Sequence, residues 1–449
     1  MENLNKKVVV IGIGVSGRSA AHFLLKKGFS VVGVDDHVDK LKNHPEVKNL
    51  VNSGMTLQSD LMEQHYEELL FVVTSPGIPS SHLVLKKARS KNIEIIGEVE
   101  LAFRYLGEKT CVGVTGTNGK TTVTLLIEHI LNACGKPARA VGNIGVPITS
   151  QILDAANEIL VIELSSYQLE SVVSPTLDVA VILNITPDHL DRYKTMQAYI
   201  DAKIRISNIL RPQGALLASR LVPVPECIEG VIRYGFEEDC KIYSDGKNIL
   251  VDGIVIGQIP EEYYGKKTHH LENILAAYSV CVKLGVSSQD ALKAVCSFKR
   301  PAHRIEFVRK IDKVAYYNDS KGTNVDAVVR AVDSMNGDVI LIAGGVDKGG
   351  DYGLWTKKFP GKVKCVYAIG EAAKKIQNQL APNVHVKIVS HLIDAVKEAK
   401  AVSVPGDNVL LSPGCSSFDM FENYEHRGNE FKQIVNAITG KEKREYEPT

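Results

Sequence analysis

Residues 111–122 read Cys-Val-Gly-Val-Thr-Gly-Thr-Asn-Gly-Lys-Thr-Thr. The apolar start of this stretch, with Val112 and Val114, predicts a buried strand that ends at a glycine turn over residues 116–119. Apolar residues recur at helical spacing after Lys120, so we expect a helix to begin there. A strand, a glycine turn and a helix N-terminus together direct backbone N–H groups at a phosphate. The stretch therefore predicts an α/β domain with a phosphate-binding turn, which we call the 116–119 turn.

The turn is a shortened variant of the common nucleotide-binding motif GxxxxGK[ST]. That spacing would require a glycine at position 114, which is Val114. We expect Lys120 to lie on the β- and γ-phosphates of a nucleoside triphosphate and the Thr121 hydroxyl to lie on Mg²⁺. The alternative is a chance glycine turn, which would not need both glycines between a strand and a helix. The nucleotide-binding residues predicted from the turn are Gly116, Thr117, Asn118, Gly119, Lys120, Thr121 and Thr122.

Length and composition describe an ordinary globular chain. The 449 residues suggest about three domains. The chain has 53 Lys and Arg residues and 52 Asp and Glu residues. It therefore lacks the surplus of basic residues that would indicate a nucleic acid or an anionic membrane as a partner. No apolar run reaches the roughly 18 to 20 residues that a membrane span needs. The eight cysteines are scattered without a CxxC pair, which is typical of reduced thiols and predicts a cytoplasmic protein.

Strand and helix patterns alternate along three segments, which predicts an α/β fold with three domains. Residues 1–97 are expected to form a Rossmann-like domain and residues 98–299 a central P-loop-type ATPase domain. Residues 300–449 are expected to form a second Rossmann-like domain. Within the central segment, residues 212–260 are rich in short β patterns and are expected to form a side sheet.

A second glycine turn follows the first predicted strand. It reads Gly12-Ile-Gly14-Val-Ser-Gly17, and Asp35 ends the next strand. By itself the pattern is a dinucleotide fingerprint and admits an NAD-dependent oxidoreductase. Because the chain carries a separate triphosphate turn, we favour a different nucleotide diphosphate. Ser75-Pro-Gly77 ends another strand of the same sheet, at the edge where ligands bind.

Three polar residues of the central segment bear on metal binding. Glu163 ends an apolar strand beside the 116–119 turn, at a position suited to a Mg²⁺ ligand. The alternative is that Glu163 is an acid at a strand edge with no role in metal binding. His189 follows a later strand, and on the residues alone a metal ligand and a solvated loop histidine both stay open. Lys203 is interpreted as an ordinary lysine of a surface helix.

The third segment has three polar, glycine-containing loops after predicted strands, at residues 318–324, 344–349 and 412–417. Such loops on one sheet edge predict a binding cleft. Arg304, Lys321 and Lys348 supply cations suited to phosphate or carboxylate groups. A phosphate turn, metal-binding acids and scattered cations are what phosphoryl transfer requires.

With these residues placed, the chain resembles the Mur ligase family of peptidoglycan precursor synthesis over essentially its whole length. The matching segments are TGTNGKTT (115–122), GNIG (142–145), ELSSYQLE (163–170), PDHLDRY (187–193), HR (303–304), NDSKGTN (318–324), GGVDKG (344–349) and SPGCSSFDMFENYEHRGNEF (412–431). The first is shared with folylpolyglutamate synthases. ELSSYQLE and the C-terminal block are more particular to the family members that add D-glutamate.

The resemblance implies an ATP-dependent amide ligase. The carboxylate of UDP-N-acetylmuramoyl-L-alanine would attack the γ-phosphate of ATP to form an acyl phosphate, and the amine of D-glutamate would displace phosphate. It also implies two Mg²⁺ ions. The charge balance and the lack of long apolar runs, independently, lead us to expect a cytoplasmic protein without nucleic-acid partners or membrane insertion. We expect a monomer.

The resemblance further implies roles for single residues. Lys120, Glu163, His189 and Lys203 would be catalytic, and Thr121, Glu163, His189 and a carbamylated Lys203 would lie at the metals. Asn273, Arg304 and Asp319 would contact the nucleotide. The UDP substrate would contact Val15, Ser16, Asp35, Ser75, Gly77 and Asn143, and D-glutamate would contact Lys321, Thr323, Lys348, Ser417 and Tyr424.

The sequence departs from the family pattern at two of these places. His270 stands where the family often has the first Asn of His-Asn-x-x-Asn, and Tyr424 stands where an aromatic residue is often Phe. Two other functions stay open, a folylpolyglutamate synthase and a regulatory P-loop NTPase. The first Rossmann-like segment and ELSSYQLE argue against the synthase.

Overall fold

In a computed structural model of the chain, the residues described are 7–152, 158–261, 268–381 and 383–439. Their contacts form two compact units. The first unit comprises Met1–Asn184 and Ile200–Phe298, and the second comprises Ile185–Tyr199 and Lys299–Thr449. The predicted domain boundaries at 97/98 and 299/300 stay predictions.

The first sheet is built from five parallel strands in the order β3-β2-β1-β4-β5. Val8, Val9 and Val10 of the middle strand are all fully buried, as expected for a parallel strand covered on both faces. The strands are β1 (Lys7–Ile11), β2 (Ser30–Val34), β3 (Thr56–Gln58), β4 (Leu69–Thr74) and β5 (Glu94–Gly97). The accompanying helices are α1 (Val15–Lys26), α2 (Val38–Leu41), α3 (Pro45–Asn52), α4 (Leu83–Ser90) and α5 (Glu98–Phe103).

The second sheet has nine strands in the order β14-β13-β12-β11-β10-β9-β6-β8-β7. They are β6 (Cys111–Thr115), β7 (Ala138–Gly142), β8 (Ile159–Glu163), β9 (Leu177–Ile182), β10 (Leu210–Ser219), β11 (Ile232–Gly235), β12 (Ile242–Ser244), β13 (Asn248–Val251) and β14 (Ile254–Gln258). In the described part of this sheet the β12–β13 and β13–β14 pairs are antiparallel and every other pair is parallel, so only β13 runs against the other strands. The carboxyl ends of β6, β8 and β9 therefore lie at one edge.

The expectation of a separate side sheet over residues 212–260 is wrong. The end of β10 carries buried apolar residues, Ala215 to Ala218, and pairs in parallel with β9. This pairing extends the central sheet through β14, because each later strand adds to the preceding edge. The helices of the central segment are α6 (Lys120–Ala133), α7 (Ile148–Gln151), α8 (Ser166–Leu169), α9 (Leu190–Tyr193), α10 (Met196–Ile204), α11 (His269–Lys283) and α12 (Ser288–Cys296).

The third sheet has six strands in the order β15-β16-β20-β17-β18-β19. They are β15 (Glu306–Ile311), β16 (Val314–Asn318), β17 (Val339–Gly344), β18 (Val363–Ile369), β19 (His385–Ile388) and β20 (Asn408–Leu411). The helices are α13 (Val325–Ser334), α14 (Ala373–Leu380), α15 (Leu392–Val402) and α16 (Tyr424–Asn436). All strands except β15 run parallel, so the predicted loops after β16, β17 and β20 share an edge.

The α/β class with three sheet-containing segments is confirmed. Sequence patterns did not predict β15, α13 and α16, whose apolar residues are interrupted by charges. Over the described residues, the structure contains no helix that is long and apolar enough to cross a membrane.

Candidate functional site

The 116–119 turn joins β6 to α6 as the sequence predicts. Val114 is fully buried inside β6, so the strand occupies the position at which the longer motif has its first glycine. Gly116 and Gly119 adopt φ of +153° and +87°, which favour glycine. A Cβ atom on Gly119 would lie 2.5 Å from the Asn273 Oδ1 atom. The predicted nucleotide residue Asn273 is thus packed directly against the turn.

The start of α6 is available for an anion. Gly119 is the N-cap residue and makes no side-chain cap hydrogen bond to the first turn of the helix. The Lys120 Nζ atom donates to the carbonyl oxygens of Gly116 and Thr117, each at 2.8 Å, so the ammonium lies over the turn. The N–H groups of a first helical turn that begins at a glycine N-cap, with an ammonium beside them, are features that bind phosphate.

Glu163 lies behind the turn at the end of β8 and is only 2 % exposed. Its Oε2 atom accepts a hydrogen bond from the Thr121 hydroxyl at 2.7 Å, and its Oε1 atom accepts one from the Asn143 side chain at 2.9 Å. The Asn143 backbone N–H also donates to the Glu163 carbonyl at 3.0 Å. The geometry thus brings three predicted site residues into one hydrogen-bonded row.

A carboxylate and a hydroxyl at a phosphate-binding turn match the oxygen donors that Mg²⁺ prefers when it keeps several waters. Thr121 and Glu163 therefore fit a single Mg²⁺ shared with phosphate oxygens. Among the described residues, no group of three or more His, Cys, Asp and Glu side chains is close enough to form an all-protein metal cage.

Lys203 is not the surface lysine that its helix pattern suggests, and that interpretation is wrong. It lies in α10 with 1 % exposure, and its Nζ atom donates to the Gly116 carbonyl at 2.8 Å. Tyr199, four residues before Lys203 on the same face of the helix, and the neighbouring Ala202 are also buried, so Lys203 belongs to the buried face of α10. The predicted catalytic lysine therefore contacts the 116–119 turn directly.

His189 belongs to the second unit, in the segment Ile185–Tyr199. It precedes α9 with a φ of +55°, and its Nε2 atom lies 3.6 Å from the Asp188 Oδ2 atom. Asp188 in turn accepts a hydrogen bond from the Asn324 side chain at 3.2 Å. The segment is thus held by the loop before α13. Because Glu163 belongs to the first unit, a metal shared by Glu163 and His189 stays a prediction.

Asp319 is buried in the second unit, and the half-buried Arg304 lies near it. The Asp319 carboxylate accepts hydrogen bonds from the Ser412 hydroxyl at 2.7 Å and from the Ile305 N–H at 3.3 Å. Burial raises the pKa of Asp319 to about 7, and nearby Arg304 opposes that rise only in part. The Arg304 Nε atom is buried and has no hydrogen-bond partner within the described part of the chain. An unpaired guanidinium N–H fits an anionic group of a ligand.

The loops predicted to bind D-glutamate do meet. Val346 and Ser416 pair across the second and third loops, and their backbone N–H groups donate reciprocally at 3.0 and 3.2 Å. The Lys348 Nζ atom lies 3.5 Å from the Thr323 hydroxyl oxygen of the first loop. Ser417 is buried beside this pairing. Three of the five predicted contacts therefore come from loops that converge on one another.

The other two predicted residues form a pair. The Lys321 Nζ atom lies 4.8 Å from the centroid of the Tyr424 ring, a cation–π contact. The pairing places the ammonium at the N-terminus of α16, where Tyr424 is the first residue. All five predicted glutamate-binding residues thus lie on loops or helix ends at the carboxyl edge of the third sheet.

Arg427, which sequence reasoning missed, ties these loops together. It is fully buried, and its guanidinium donates to the carbonyl oxygens of Ser320, Cys415 and Ser416 at 2.9, 3.2 and 3.4 Å. Burial lowers its pKa to about 10. A signal was present in the sequence, because Arg427 lies four residues before the buried Phe431 on one face of α16.

The first glycine turn, residues 12–17, is supported by two of the predicted substrate residues. Asp35 accepts hydrogen bonds from the N–H groups of Ile13 and His37 at 2.8 and 2.9 Å. The Ser75 hydroxyl donates to the Gly12 carbonyl at 2.6 Å. A Cβ atom on Gly17 would lie 1.9 Å from that carbonyl oxygen, so only glycine fits there.

The remaining predicted residues of this region are at least partly accessible. Val15 is 55 % exposed in the first turn of α1, Gly77 is also exposed, and Ser16 is half-buried. The N-cap residue of α1 makes no side-chain cap hydrogen bond. The 12–17 turn therefore also presents a helix N-terminus to a ligand.

Three family models match successive parts of the chain. They are the Mur ligase MurD-like N-terminal domain over residues 6–97, the Mur ligase middle domain over residues 114–281, and the Mur ligase glutamate ligase domain over residues 303–415. The UDP-N-acetylmuramoylalanine–D-glutamate ligase of Protochlamydia amoebophila is 48 % identical over 439 residues, which cover 96 % of this chain and 98 % of that protein.

Solved structures share the fold. The UDP-N-acetylmuramate–alanine ligase of Thermotoga maritima superposes with a TM-score of 0.62 at 17 % identity, covering 96 % of this chain and 99 % of that one. The MurF ligase of the same organism, solved in complex with ADP, gives a TM-score of 0.56 at 17 % identity over 87 % of this chain and 92 % of its own.

Proposed function

The chain belongs to the Mur ligase family, and on that premise we propose that it joins D-glutamate to UDP-N-acetylmuramoyl-L-alanine at the expense of ATP. The observation that carries the proposal is the hydrogen bond from Thr121 to Glu163 behind the 116–119 turn. It places a buried acid and a hydroxyl next to the N-terminus of α6 and the Lys120 ammonium. These groups suit the terminal phosphates of a nucleoside triphosphate.

The first step activates the alanine carboxylate of the UDP substrate. One carboxylate oxygen attacks the γ-phosphorus of ATP, the bond to the β,γ-bridging oxygen breaks, and an acyl phosphate and ADP result. Lys120 exchanges its two carbonyl partners for phosphate oxygens and neutralises the charge that develops there. The N–H groups of Gly119 to Thr122 supply the remaining contacts.

Thr121 and Glu163 would hold Mg²⁺ in this reaction. When bound, the ion supplies charge neutralisation for the β- and γ-phosphates and orients them. Asn143 keeps the Glu163 carboxylate oriented through its 2.9 Å hydrogen bond and is also proposed to contact the muramoyl group. His189 and a carbamylated Lys203 are proposed for a second ion.

Carbamylation of Lys203 is compatible with its surroundings. The Nζ atom is shielded from water and uses one N–H to reach the Gly116 carbonyl. A carbamate nitrogen retains one N–H, so this hydrogen bond could persist. The added carboxylate is an anion that can ligate a metal ion, whereas an ammonium group cannot.

The second step forms the amide. The amine of D-glutamate attacks the acyl carbon, a tetrahedral intermediate forms, and its collapse expels inorganic phosphate. We assign D-glutamate to Lys321, Thr323, Lys348, Ser417 and Tyr424, since two ammonium groups suit its two carboxylates. Arg427 keeps the loops that carry these residues together.

The remaining residues are assigned to the UDP moiety of the substrate and to the adenine, ribose and phosphates of ATP. Val15, Ser16, Asp35, Ser75 and Gly77 are proposed to bind the UDP moiety at the 12–17 turn. Asn273 is proposed at the adenine, and Arg304 and Asp319 at the phosphates and ribose of ATP. The unpaired Nε–H of Arg304 supports the phosphate assignment. We further propose a cytoplasmic monomer, in keeping with eight free cysteines.

A phosphate-release assay over a panel of amino acids tests this function. We expect phosphate only when ATP, UDP-N-acetylmuramoyl-L-alanine and D-glutamate are all present. Turnover with L-lysine or diaminopimelate in place of D-glutamate would contradict the substrate assignment. ATP hydrolysis without any amino acid would favour a regulatory NTPase, and extension of a folate by glutamate would favour the synthase.

A further inference from the structure

The 116–119 turn is fastened to the neighbouring strand by a residue that no substrate contact explains. Asn184 lies two residues beyond β9 and is 8 % exposed. Its Oδ1 atom accepts from the Asn118 N–H at 2.9 Å, and its Nδ2 atom donates to the Asn118 carbonyl at 3.0 Å. Its own carbonyl accepts from the Thr117 N–H at 2.9 Å. Two successive residues of the turn are thus fixed to the end of one strand.

The shortness of the turn explains why such a clamp is useful. Only residues 116–119 separate β6 from α6, and the N–H groups of Thr117 and Asn118 are already taken by Asn184. Phosphate contacts must therefore come from Gly119 onward. The Asn118 carbonyl and the Gly119 N–H belong to one trans peptide group and point in opposite directions. Holding the carbonyl on one side consequently aims the N–H at the other.

Close packing supports the same arrangement. A Cβ atom on Gly116 would lie 3.0 Å from the Leu183 Cβ atom and 3.3 Å from the Asn184 nitrogen, so the turn rests on the chain just after β9. Asn184 is also the last residue of the first unit before the segment Ile185–Tyr199. Lys203, shortly after that segment, donates to Gly116. Both flanks of the segment are therefore hydrogen-bonded to the turn.

We propose that Asn184 is a positioning residue for the triphosphate site. Its carboxamide sets the direction of the Gly119 N–H and the placement of Lys120 without touching the nucleotide. The proposal rests on the ATP-dependent function proposed above. It predicts an effect on nucleotide binding that exceeds the effect on folding.

Asn184→Ala removes both side-chain hydrogen bonds of the clamp. We expect the Kd for the ATP analogue AMP-PNP with Mg²⁺, measured by calorimetry on the full chain, to rise about tenfold, since two neutral hydrogen bonds that orient a binding group are worth roughly that factor. The KM for ATP should rise similarly. The KM for D-glutamate should stay within about twofold of the parent value, because the loops that bind it lie on another sheet.

Asn132→Ala is a matched control. Asn132 makes the same pair of hydrogen bonds, with the N–H and carbonyl of Ala138, each at 2.9 Å. It lies near the opposite end of α6 from the turn. We expect this variant to lower the melting temperature while leaving the Kd for AMP-PNP unchanged. Equal weakening of nucleotide binding in both variants would overturn the proposal, because it would reflect general loosening of α6.

Asn184→Asp provides a second variant if the alanine variant does not fold. It keeps the shape and one acceptor but places an oxygen against the Asn118 carbonyl, so we again expect weaker AMP-PNP binding with a folded chain. A Kd within twofold of the parent value in a folded Asn184 variant would contradict the clamp and leave the ligase assignment intact. Failure of the parent itself to bind AMP-PNP would overturn both.

Discussion

Two glycine turns in the first unit share a backbone plan and differ in the side chains around them. Residues 12–17 and residues 116–119 each join a parallel strand to a helix whose N-cap residue is a glycine without a side-chain cap. In each, a basic side chain from the helix returns to a carbonyl of its own turn, Arg18 to Ile13 at 3.1 Å and Lys120 to Gly116 at 2.8 Å.

The surroundings separate the two turns. Arg18 is also paired with Glu46 at 2.5 Å, and Asp35 accepts the Ile13 N–H, so carboxylates already occupy polar groups of the 12–17 turn. The 116–119 turn is instead followed by a buried row of Thr121, Glu163 and Asn143. A glycine turn at a helix N-terminus thus provides anion binding, and the neighbouring side chains decide whether the anion is only held or is activated.

The largest expected effect distinguishes the two basic residues. Lys120→Ala should lower kcat at least about 100-fold, because it removes a fixed cation facing developing charge. Arg18→Ala, the corresponding change at the 12–17 turn, should alter kcat by less than about threefold since its charge is already paired. Phosphate release at saturating substrates measures both. Similar losses in the two variants would erase the distinction between the turns.

A second test concerns Lys203, the buried lysine that donates a hydrogen bond to the 116–119 turn. Lys203→Ala should lower activity by about 100-fold if an anion formed on that side chain helps to hold a catalytic metal. Formate or acetate should restore part of the phosphate release. The same acids should not help Lys120→Ala, which needs a cation. No rescue of Lys203→Ala by either acid would contradict the carbamate.

A smaller effect is expected at the 12–17 turn. Asp35→Ala should raise the KM for the UDP substrate roughly tenfold, because hydrogen bonds from N–H groups to a charged acceptor are lost. The kcat should change little. Asp36→Ala is the control, since that carboxylate is 70 % exposed and only approaches His82 at 3.5 Å. A large fall in kcat for Asp35→Ala would indicate that the 12–17 turn takes part in the chemical step, which would contradict its assignment to substrate binding.

The last prediction concerns the pH dependence of stability and leaves activity aside. The pKa of Asp319 rises from 3.8 to about 7 on folding, so the folded chain binds more protons than the unfolded chain between those values. The free energy of unfolding of the parent should therefore decline with rising pH across this window, relative to Asp319→Asn. Denaturant titrations at a series of pH values measure the difference. Parallel curves for parent and variant would contradict the buried acid.

Much of the site followed from local sequence patterns. The strand, turn and helix around Gly116 and Gly119 are specified by residues close in sequence, so their geometry could be predicted. Glu163 and Asp319 each follow a parallel strand, Glu163 in the second sheet and Asp319 in the third. Their placement could be predicted because parallel strands bring their carboxyl ends to one edge of their sheet.

Contacts between distant residues escaped prediction. Lys203 and Arg427 are long cationic side chains, a type that is rarely buried, so composition argued against their interior positions. The sequence shows Asn184 only as a polar residue after a strand, and its hydrogen bonds to Asn118 could not be predicted from that position. The extension of the central sheet through β14 likewise depends on which edge the later strands join.

The most direct test of the difference between the two turns is a crystal structure of the protein with AMP-PNP and Mg²⁺. We predict the terminal phosphates at residues 116–119, with the Lys120 Nζ atom moved onto them and Thr121 and Glu163 beside the metal. A nucleotide whose phosphates lay at residues 12–17, with the 116–119 turn empty, would contradict the assignment of the chemistry to that turn.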